Sequence, residues 1–140
     1  MEKSLLIALM FLFILSACSS QATPESVAGT TVTVDGGSYL NVAPSELNSM
    51  LADKDFVFIN VHIPFAGNIA STDLSIPYDQ IDQNLTQLPA DKNAKIVLYC
   101  RSGRMSAIAA ETLVKLGYTD IWNLDGGMVA WEQAGYEIQK

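Results

Sequence analysis

The stretch IVLYCRSGRMS, residues 96–106, decides the fold, because it joins a strand pattern to a helix pattern through a cysteine and a glycine. Residues 96–99 form a continuous apolar and β-branched run, which predicts a strand covered on both faces of a parallel sheet. An alanine-rich helical pattern follows over residues 106–116, and Gly117 stands where a helix C′ residue belongs. Cys100 is therefore predicted between a strand carboxyl end and a helix N-terminus, where sites in such sheets lie.

The same alternation continues on both sides of this stretch. The other apolar runs that predict strands are residues 39–42, 56–61 and 121–124. Pro44, at a plausible N1 position, predicts a helix that continues through Leu51. Strands that alternate with helices of about ten residues predict an α/β fold, with a parallel sheet and helices on both faces. The large aromatic side chains expected in its core are Phe56, Phe58, Trp122 and Trp131.

The N-terminal sequence predicts export and lipid attachment. Residues 1–17 have a short basic start and an apolar run, the arrangement of a signal peptide, and the run is shorter than the about 20 residues of a membrane span. Cys18 closes a lipobox and is expected to carry the lipid, followed by a flexible polar tether to residue 29 (residues 18–29). Residues 30–140 are expected to form the domain. This predicts an extracytoplasmic protein, lipid-anchored to a bacterial membrane on its periplasmic side or at the cell surface.

The net charge and the two cysteines limit which partners and which chemistry are expected. The 140-residue chain has a formal net charge of -7 and scattered basic residues, apart from Arg101 and Arg104, so nucleic acid is not an expected partner. With Cys18 assigned to lipid, Cys100 has no partner for a disulfide, although exported cysteines usually pair. A lone exported thiol indicates reactivity; the alternative is an inert cysteine packed as a small hydrophobe.

The loop after Cys100 is suited to holding an anion. Gly103 can adopt positive φ, so a short turn can direct several backbone N–H groups into one concavity beside a helix N-terminus. A thiolate is stabilised there, and neighbouring arginines act in the same direction. These parts serve attack by a thiolate on a polarised sulfur or phosphorus centre. Tyrosine phosphatases and arsenate reductases have an arginine six residues after the cysteine, and Ser106 at that position disfavours them.

Three blocks of the chain resemble the rhodanese family of sulfurtransferases. The blocks are residues 58–61 with 67–69 and 75–77, residues 97–106, and residues 124–128 with Trp131 and Gly135. The resemblance implies a rhodanese-like domain, here in a bacterial lipoprotein form, with a parallel five-stranded sheet. It implies that Cys100 takes sulfane sulfur from thiosulfate or a similar small anionic donor as a persulfide. The sulfur then passes to a thiol, cyanide or protein acceptor, without a metal or any cofactor beyond the covalent persulfide.

The resemblance also implies site residues. Cys100 is the expected nucleophile, and backbone amides after it would cradle the terminal sulfur or the donor's oxygens, while the two arginines steer the donor. The residues expected to bind substrate are Arg101, Ser102, Gly103, Arg104, Met105 and Ser106. The Ser102 and Ser106 hydroxyls are expected to donate to the sulfur or to cap the helix, and for Ser106 both roles are expected.

The first block departs from the family pattern. Asn60 and His62 stand where the family has Asp and Arg, and Asn68 stands where it has His. Since these positions lie away from the catalytic loop in the family, His62, the only histidine, is expected to be structural and not a base. A rhodanese-like module that binds a sulfur compound or a partner without turnover is the alternative function.

Overall fold

The structure, a computed structural model, describes residues 29–140. The predicted signal peptide, the lipidation at Cys18 and the tether up to residue 28 lie outside the described residues. Within the described part, no helix is long and apolar enough to cross a membrane.

The described residues form a six-stranded sheet. Its strands are β1 (Thr30–Val34), β2 (Gly37–Val42), β3 (Val57–Asn60), β4 (Leu74–Ser75), β5 (Ile96–Tyr99) and β6 (Ile121–Leu124). Their order is β1-β2-β6-β5-β3-β4, and every neighbouring pair is parallel except β1 and β2. The strand that leads into Cys100 is therefore central, with β6 on one side and β3 on the other.

The prediction of five parallel strands is corrected in one respect, because β1 and β2 form an antiparallel hairpin. Within residues 29–140 the sheet has six strands, and β1 is an antiparallel edge strand that pairs Thr30 with Asn41 and Val34 with Gly37. Its alternation of threonine and valine places the valines partly buried and the threonines in solvent, as a strand covered on one face requires. The two-residue turn at Asp35 and Gly36, with Gly36 at φ +89°, joins the strands.

Helices cover both faces of the sheet, as predicted. In the described part these are α1 (Pro44–Ala52), α2 (Arg104–Lys115) and α3 (Gly127–Gln133), with single 3-10 turns at Ile81–Gln83 and Leu85–Gln87. One core cluster contains Leu113 of α2 and Ile59 of β3, and the other contains Leu47 of α1 and Trp131 of α3. The four aromatic side chains expected in the core are all buried.

Most helix and strand bounds agree with the bounds predicted from the sequence. β5, β6 and the start of α1 lie where predicted, and β3 is one residue shorter at each end than the run 56–61. Gly117 ends α2 at φ +91° and donates its amide to the Val114 carbonyl at 2.9 Å. α2 begins at Arg104, two residues earlier than predicted, because the Gly103 turn leads directly into it.

Candidate active site

Cys100 follows the last residue of the central strand β5, and α2 begins four residues later. The carboxyl ends of the neighbouring parallel strands β3 and β6 lie at the same edge of the sheet. In open parallel sheets this edge is where ligands bind. The position predicted for Cys100 from its sequence context is confirmed.

Two polar groups point at the Cys100 sulfur. The Gly103 amide donates to Sγ at 3.1 Å, and the Ser106 hydroxyl lies 3.3 Å from Sγ. Gly103 has φ +94°, the left-handed conformation that turns its amide back toward the sulfur. The same Ser106 hydroxyl lies 3.2 Å from the Gly103 carbonyl oxygen, so its single proton can serve either acceptor. Both donors favour negative charge on the sulfur.

The start of α3 fixes the other side of the loop. The Met128 amide donates to the Cys100 carbonyl at 2.9 Å, and the Val129 amide donates to the Arg101 carbonyl at 3.0 Å. Gly127 allows this approach: a Cβ at that position would collide with the Cys100 carbonyl oxygen and lie 2.7 Å from the Arg101 carbonyl group. Main-chain bonds from α3 therefore hold the carbonyls of Cys100 and Arg101.

The remaining loop amides are unoccupied. Among the described residues, no group accepts a hydrogen bond from the amides of Arg101, Ser102, Arg104, Met105 and Ser106. Successive free amides form a nest for an anion. The loop therefore offers main-chain donors to a ligand that reaches the sulfur.

A cavity of about 260 Å³ opens over the sulfur. The residues that line it are His62, Tyr78, Cys100, Arg101, Ser102, Arg104, Met105 and Ile108. Cys100 is only 1% exposed, so the thiol forms the floor of the cavity. Neither Arg101 nor Arg104 makes an ion pair with another described residue, and no carboxylate lines the cavity. A cationic cavity in an acidic chain attracts small anions.

The structure brings the predicted site residues together. Those that line the cavity are Cys100, Arg101, Ser102, Arg104 and Met105, while Gly103 and Ser106 contact the sulfur. Their roles toward a substrate stay predictions. The expected helix cap by Ser106 is wrong, because the cap residue of α2 is Gly103 and no side chain caps that end. The Ser106 hydroxyl instead lies against Sγ.

Three residues of the cavity were not predicted as site residues: His62, Tyr78 and Ile108. The expectation that His62 lies away from the loop is wrong. A signal for it existed, because His62 comes two residues after β3, whose carboxyl end lies beside that of β5. Burial, and after it the charge of Arg101, lowers the pKa of His62.

Asn60 holds the position of His62. The Asn60 side chain is 2% exposed and donates from Nδ2 to the Gly67 carbonyl and to Asn68 Oδ1, each at 2.9 Å. Its Oδ1 accepts the His62 amide at 3.0 Å. Asn60 thus satisfies its own hydrogen-bonding groups and fixes the turn after β3. Among the described residues no cluster of His, Cys, Asp and Glu could hold a metal ion.

A cysteine that accepts from the Gly103 amide and the Ser106 hydroxyl at the end of a central parallel strand makes this a cysteine-loop α/β protein. The family model "Rhodanese-like domain" matches residues 44–134. The chain belongs to the rhodanese-like domain family. The matched segment contains the cavity residues and the three helices that surround the sheet in the described part.

Relatives and solved structures agree with this assignment. A sulfurtransferase of Allochromatium vinosum is 33% identical over 95 residues, which cover 66% of this chain and 87% of that protein. A tRNA uridine(34) hydroxylase of Erwinia tasmaniensis is 30% identical over 109 residues, which cover 74% of this chain and only 31% of the hydroxylase. The crystal structure of a rhodanese-like domain protein from Staphylococcus aureus is 32% identical, with TM-score 0.59, covering 71% of this chain and 98% of that one.

Proposed function

We propose that this protein is a sulfurtransferase that carries sulfane sulfur as a persulfide on Cys100. The observation that supports it is the pair of donors at Sγ, the Gly103 amide at 3.1 Å and the Ser106 hydroxyl at 3.3 Å, on the floor of a cavity with two unpaired arginines. Both groups donate toward the sulfur, and the cavity leads to it. The sulfurtransferase of Allochromatium vinosum is similar to this chain over 87% of its own length.

The proposed reaction has two displacements. The Cys100 thiolate attacks the outer sulfur of thiosulfate; a sulfur–sulfur bond forms to the protein, and the one within thiosulfate breaks as sulfite leaves with the electron pair. An acceptor nucleophile, such as a thiolate or cyanide, then attacks the outer sulfur of the persulfide. The acceptor gains that sulfur atom and Cys100 returns as a thiolate, so no external oxidant or reductant is needed.

The free loop amides and the arginines have separate tasks in this reaction. Arg101 and Arg104 are exposed at the cavity and raise the local concentration of an anionic donor. The Gly103 amide lies at the sulfur, and we assign to it and to the free amides of the same loop the stabilisation of negative charge on the persulfide and on the departing sulfite. The main-chain cradle needs no titrating group to perform this function.

Mass spectrometry of the reduced full chain after incubation with thiosulfate tests the proposal. We expect a mass gain of one sulfur atom that maps to Cys100, released sulfite in equal amount, and loss of both in Cys100→Ser. Cys18→Ala is the matched control and should retain the full reaction. Persulfide formation that persists in Cys100→Ser would contradict the proposal. Sulfur uptake at Cys100 without transfer to any thiol, cyanide or protein acceptor would favour the binding-module alternative.

We further propose that the chain is held by a lipid at Cys18 on the outer side of a bacterial cytoplasmic membrane or on an outer membrane. The support is the sequence alone: an apolar run followed by small residues and a cysteine. Expression in a bacterium with labelled fatty acid should give a labelled, membrane-associated protein. Cys18→Ala should lose the label and Cys100→Ala should keep it; equal labelling of both variants would exclude the anchor.

A further inference from the structure

The side chain of His62 has two nitrogens in different surroundings. Nδ1 is buried and has no hydrogen-bond partner among the described residues. Nε2 makes no hydrogen bond to a described residue either, yet it is not among the buried unpaired atoms, so it is reachable from solvent. His62 lines the cavity over Cys100, and Nε2 is the ring nitrogen that solvent, and hence a ligand, can reach.

These surroundings decide the proton arrangement of the ring. A protonated imidazole would bury an Nδ1–H without an acceptor, next to the cation of Arg101, which agrees with the lowered pKa of His62. An uncharged ring with its proton on Nδ1 would bury the same orphaned N–H. With its proton on Nε2, the ring buries only a lone pair and presents its N–H where a ligand accepts it.

The charged and titratable groups of the cavity act on this arrangement in both directions. The other such residues on its wall are Tyr78, Cys100, Arg101 and Arg104. None of them is a carboxylate; the Cys100 thiolate of the proposed reaction favours an imidazolium, and the two arginines oppose it. Since Asn60 fixes the His62 amide at 3.0 Å, the turn that carries the ring is held by a buried side chain.

We infer that uncharged His62 donates its Nε2–H to an oxygen of an oxyanionic sulfur donor, and so makes the site favour thiosulfate-type donors over polysulfides. The inference rests on the proposed function and names the donor class of the same site. Sulfonate oxygens are strong hydrogen-bond acceptors, whereas sulfur atoms are weak ones. A donor without oxygens gains nothing from His62, although it gains equally from the arginines.

Kinetics of the full chain with two donors test the inference. His62→Leu removes the N–H and keeps an apolar side chain; we expect the KM for thiosulfate to rise about 10-fold or more, the effect of one hydrogen bond to a charged group, with kcat changed less. His62→Gln, which presents an amide N–H, should restore most of the loss. With inorganic polysulfide as the donor, both variants should match the wild type within about twofold.

Nitrogen NMR provides a readout that does not depend on activity. The chain has one histidine, so the ring nitrogens of the untagged protein are assigned without ambiguity. The proton should be found on Nε2 from about pH 6.5 upward, given the lowered pKa of His62. Addition of thiosulfate to Cys100→Ser should shift Nε2 and its proton and leave the tautomer unchanged.

Five outcomes overturn the inference. Equal losses with thiosulfate and polysulfide would make His62 a structural residue. A proton found on Nδ1, or a wild-type KM for thiosulfate that rises as an imidazolium is lost above pH 6.5, would exclude an uncharged Nε2–H donor. Sulfur taken from polysulfide but never from thiosulfate would overturn the donor class while the Cys100 persulfide stands. Failure with both donors would overturn the proposed function and this inference together.

Discussion

Two loops meet at the same edge of the sheet and are held in different ways. The loop from Cys100 to Gly103 is fixed by main-chain bonds from α3, whose amides reach the Cys100 and Arg101 carbonyls. The connection after β3 is fixed by side chains, chiefly by Asn60, which donates to Gly67 and Asn68 and accepts from His62. The two loops nevertheless form one cavity, because β3 and β5 are neighbours and parallel.

The two loops should therefore be sensitive to substitution at different kinds of position. A loop built from main-chain bonds depends on where the backbone can pass, so the sensitive positions are glycines in close contact. A loop built from buried side-chain amides depends on a complete set of partners, so the sensitive positions are the polar residues themselves. Four substitutions, taken from the largest expected effect to the smallest, separate these two modes.

Gly127→Ala should have the largest effect. The new Cβ would collide with the Cys100 carbonyl oxygen and lie 2.7 Å from the Arg101 carbonyl group, and the residue has φ +59°. Backbone lies on both sides of this contact, so relief requires α3 to move away from the loop. We expect a loss of about 4 kcal/mol or more in the free energy of unfolding, measured by urea denaturation, together with loss of persulfide formation.

Gly117→Ala is the matched control. Gly117 also has positive φ, at +91°, but a Cβ there would meet nothing within 4 Å. Its cost should be only that of the backbone conformation, about 1 to 2 kcal/mol, with persulfide formation intact. Equal losses in the two variants would show that conformation, and not the contact between α3 and the loop, explains the effect at Gly127.

Asn60→Ala should come next. The substitution leaves the Gly67 carbonyl and the His62 amide without their partner and removes one of the two donors to Asn68 Oδ1, at a position that is 2% exposed. Each buried polar group left without a partner costs about 1 to 3 kcal/mol, and water that enters the site reduces the total. We therefore expect the free energy of unfolding, measured in urea, to fall by about 3 kcal/mol. Asn48→Ala, an exposed position on α1, should stay within about 0.5 kcal/mol. A similar small change for Asn60→Ala would contradict side-chain control of this loop.

The sequence predicted the main-chain loop better than the side-chain loop. The apolar runs of β5 and β6, Gly103 and Gly117 are local signals, since each reports the conformation of its own segment. By contrast, β4 is only two residues long and is defined by its pairing with β3, which leaves no local pattern. β1 had a signal in its alternating threonines and valines, but its edge position makes that pattern weakly apolar.

The same reason explains the unpredicted cavity residues. Cys100 and the residues after it are fixed by one strand and one helix, and the motif placed them correctly. His62 and Tyr78 lie in the irregular connection between β3 and the 3-10 turns. The path of this connection depends on Asn60 and on the hydrogen bond that the Tyr78 N–H donates to the Val61 carbonyl. Long-range hydrogen bonds of this kind have no periodicity in the sequence. They require the assembled sheet.

Ser106→Ala should separate function from stability in the main-chain loop. The hydroxyl lies 3.3 Å from Sγ, and alanine keeps the Cβ that packs at this fully buried position. Loss of one hydrogen bond to a charged group corresponds to about 2 kcal/mol, or a factor of roughly 30 in the rate of persulfide formation. Stopped-flow release of sulfite measures it. Ser49→Ala, at an exposed position of α1 outside the cavity, is the control; equal rates in the two variants would exclude a role for the Ser106 hydroxyl.

Tyr99→Phe should have the smallest effect, although Tyr99 is adjacent to Cys100. Side chains alternate along a strand, and Tyr99 belongs to the core cluster on the opposite face from Cys100. Its hydroxyl accepts the Ile69 amide at 3.0 Å and lies 2.7 Å from the Thr72 hydroxyl, so it belongs to the connection after β3. Removal should cost about 1 kcal/mol in unfolding free energy and leave the rate of persulfide formation within about twofold.

The pH dependence of that cost distinguishes a neutral hydroxyl from a charged one. Burial raises the pKa of Tyr99 above its ordinary value, although the hydrogen bonds with Thr72 and Ile69 act in the opposite direction. The hydroxyl therefore stays protonated and uncharged at every pH below the raised pKa. The cost of Tyr99→Phe should therefore be constant from about pH 6 to pH 9. Tyr39→Phe is the control, since the Tyr39 hydroxyl makes no hydrogen bond within the described residues and its ring is equally part of a core. A cost for Tyr99→Phe no greater than that of the control would show that the hydrogen bonds of this hydroxyl do not stabilise the connection after β3. A rate loss as large as in Ser106→Ala would show that the two loops are not independent, because a hydrogen bond made on one face of β5 would then control the sulfur on the other.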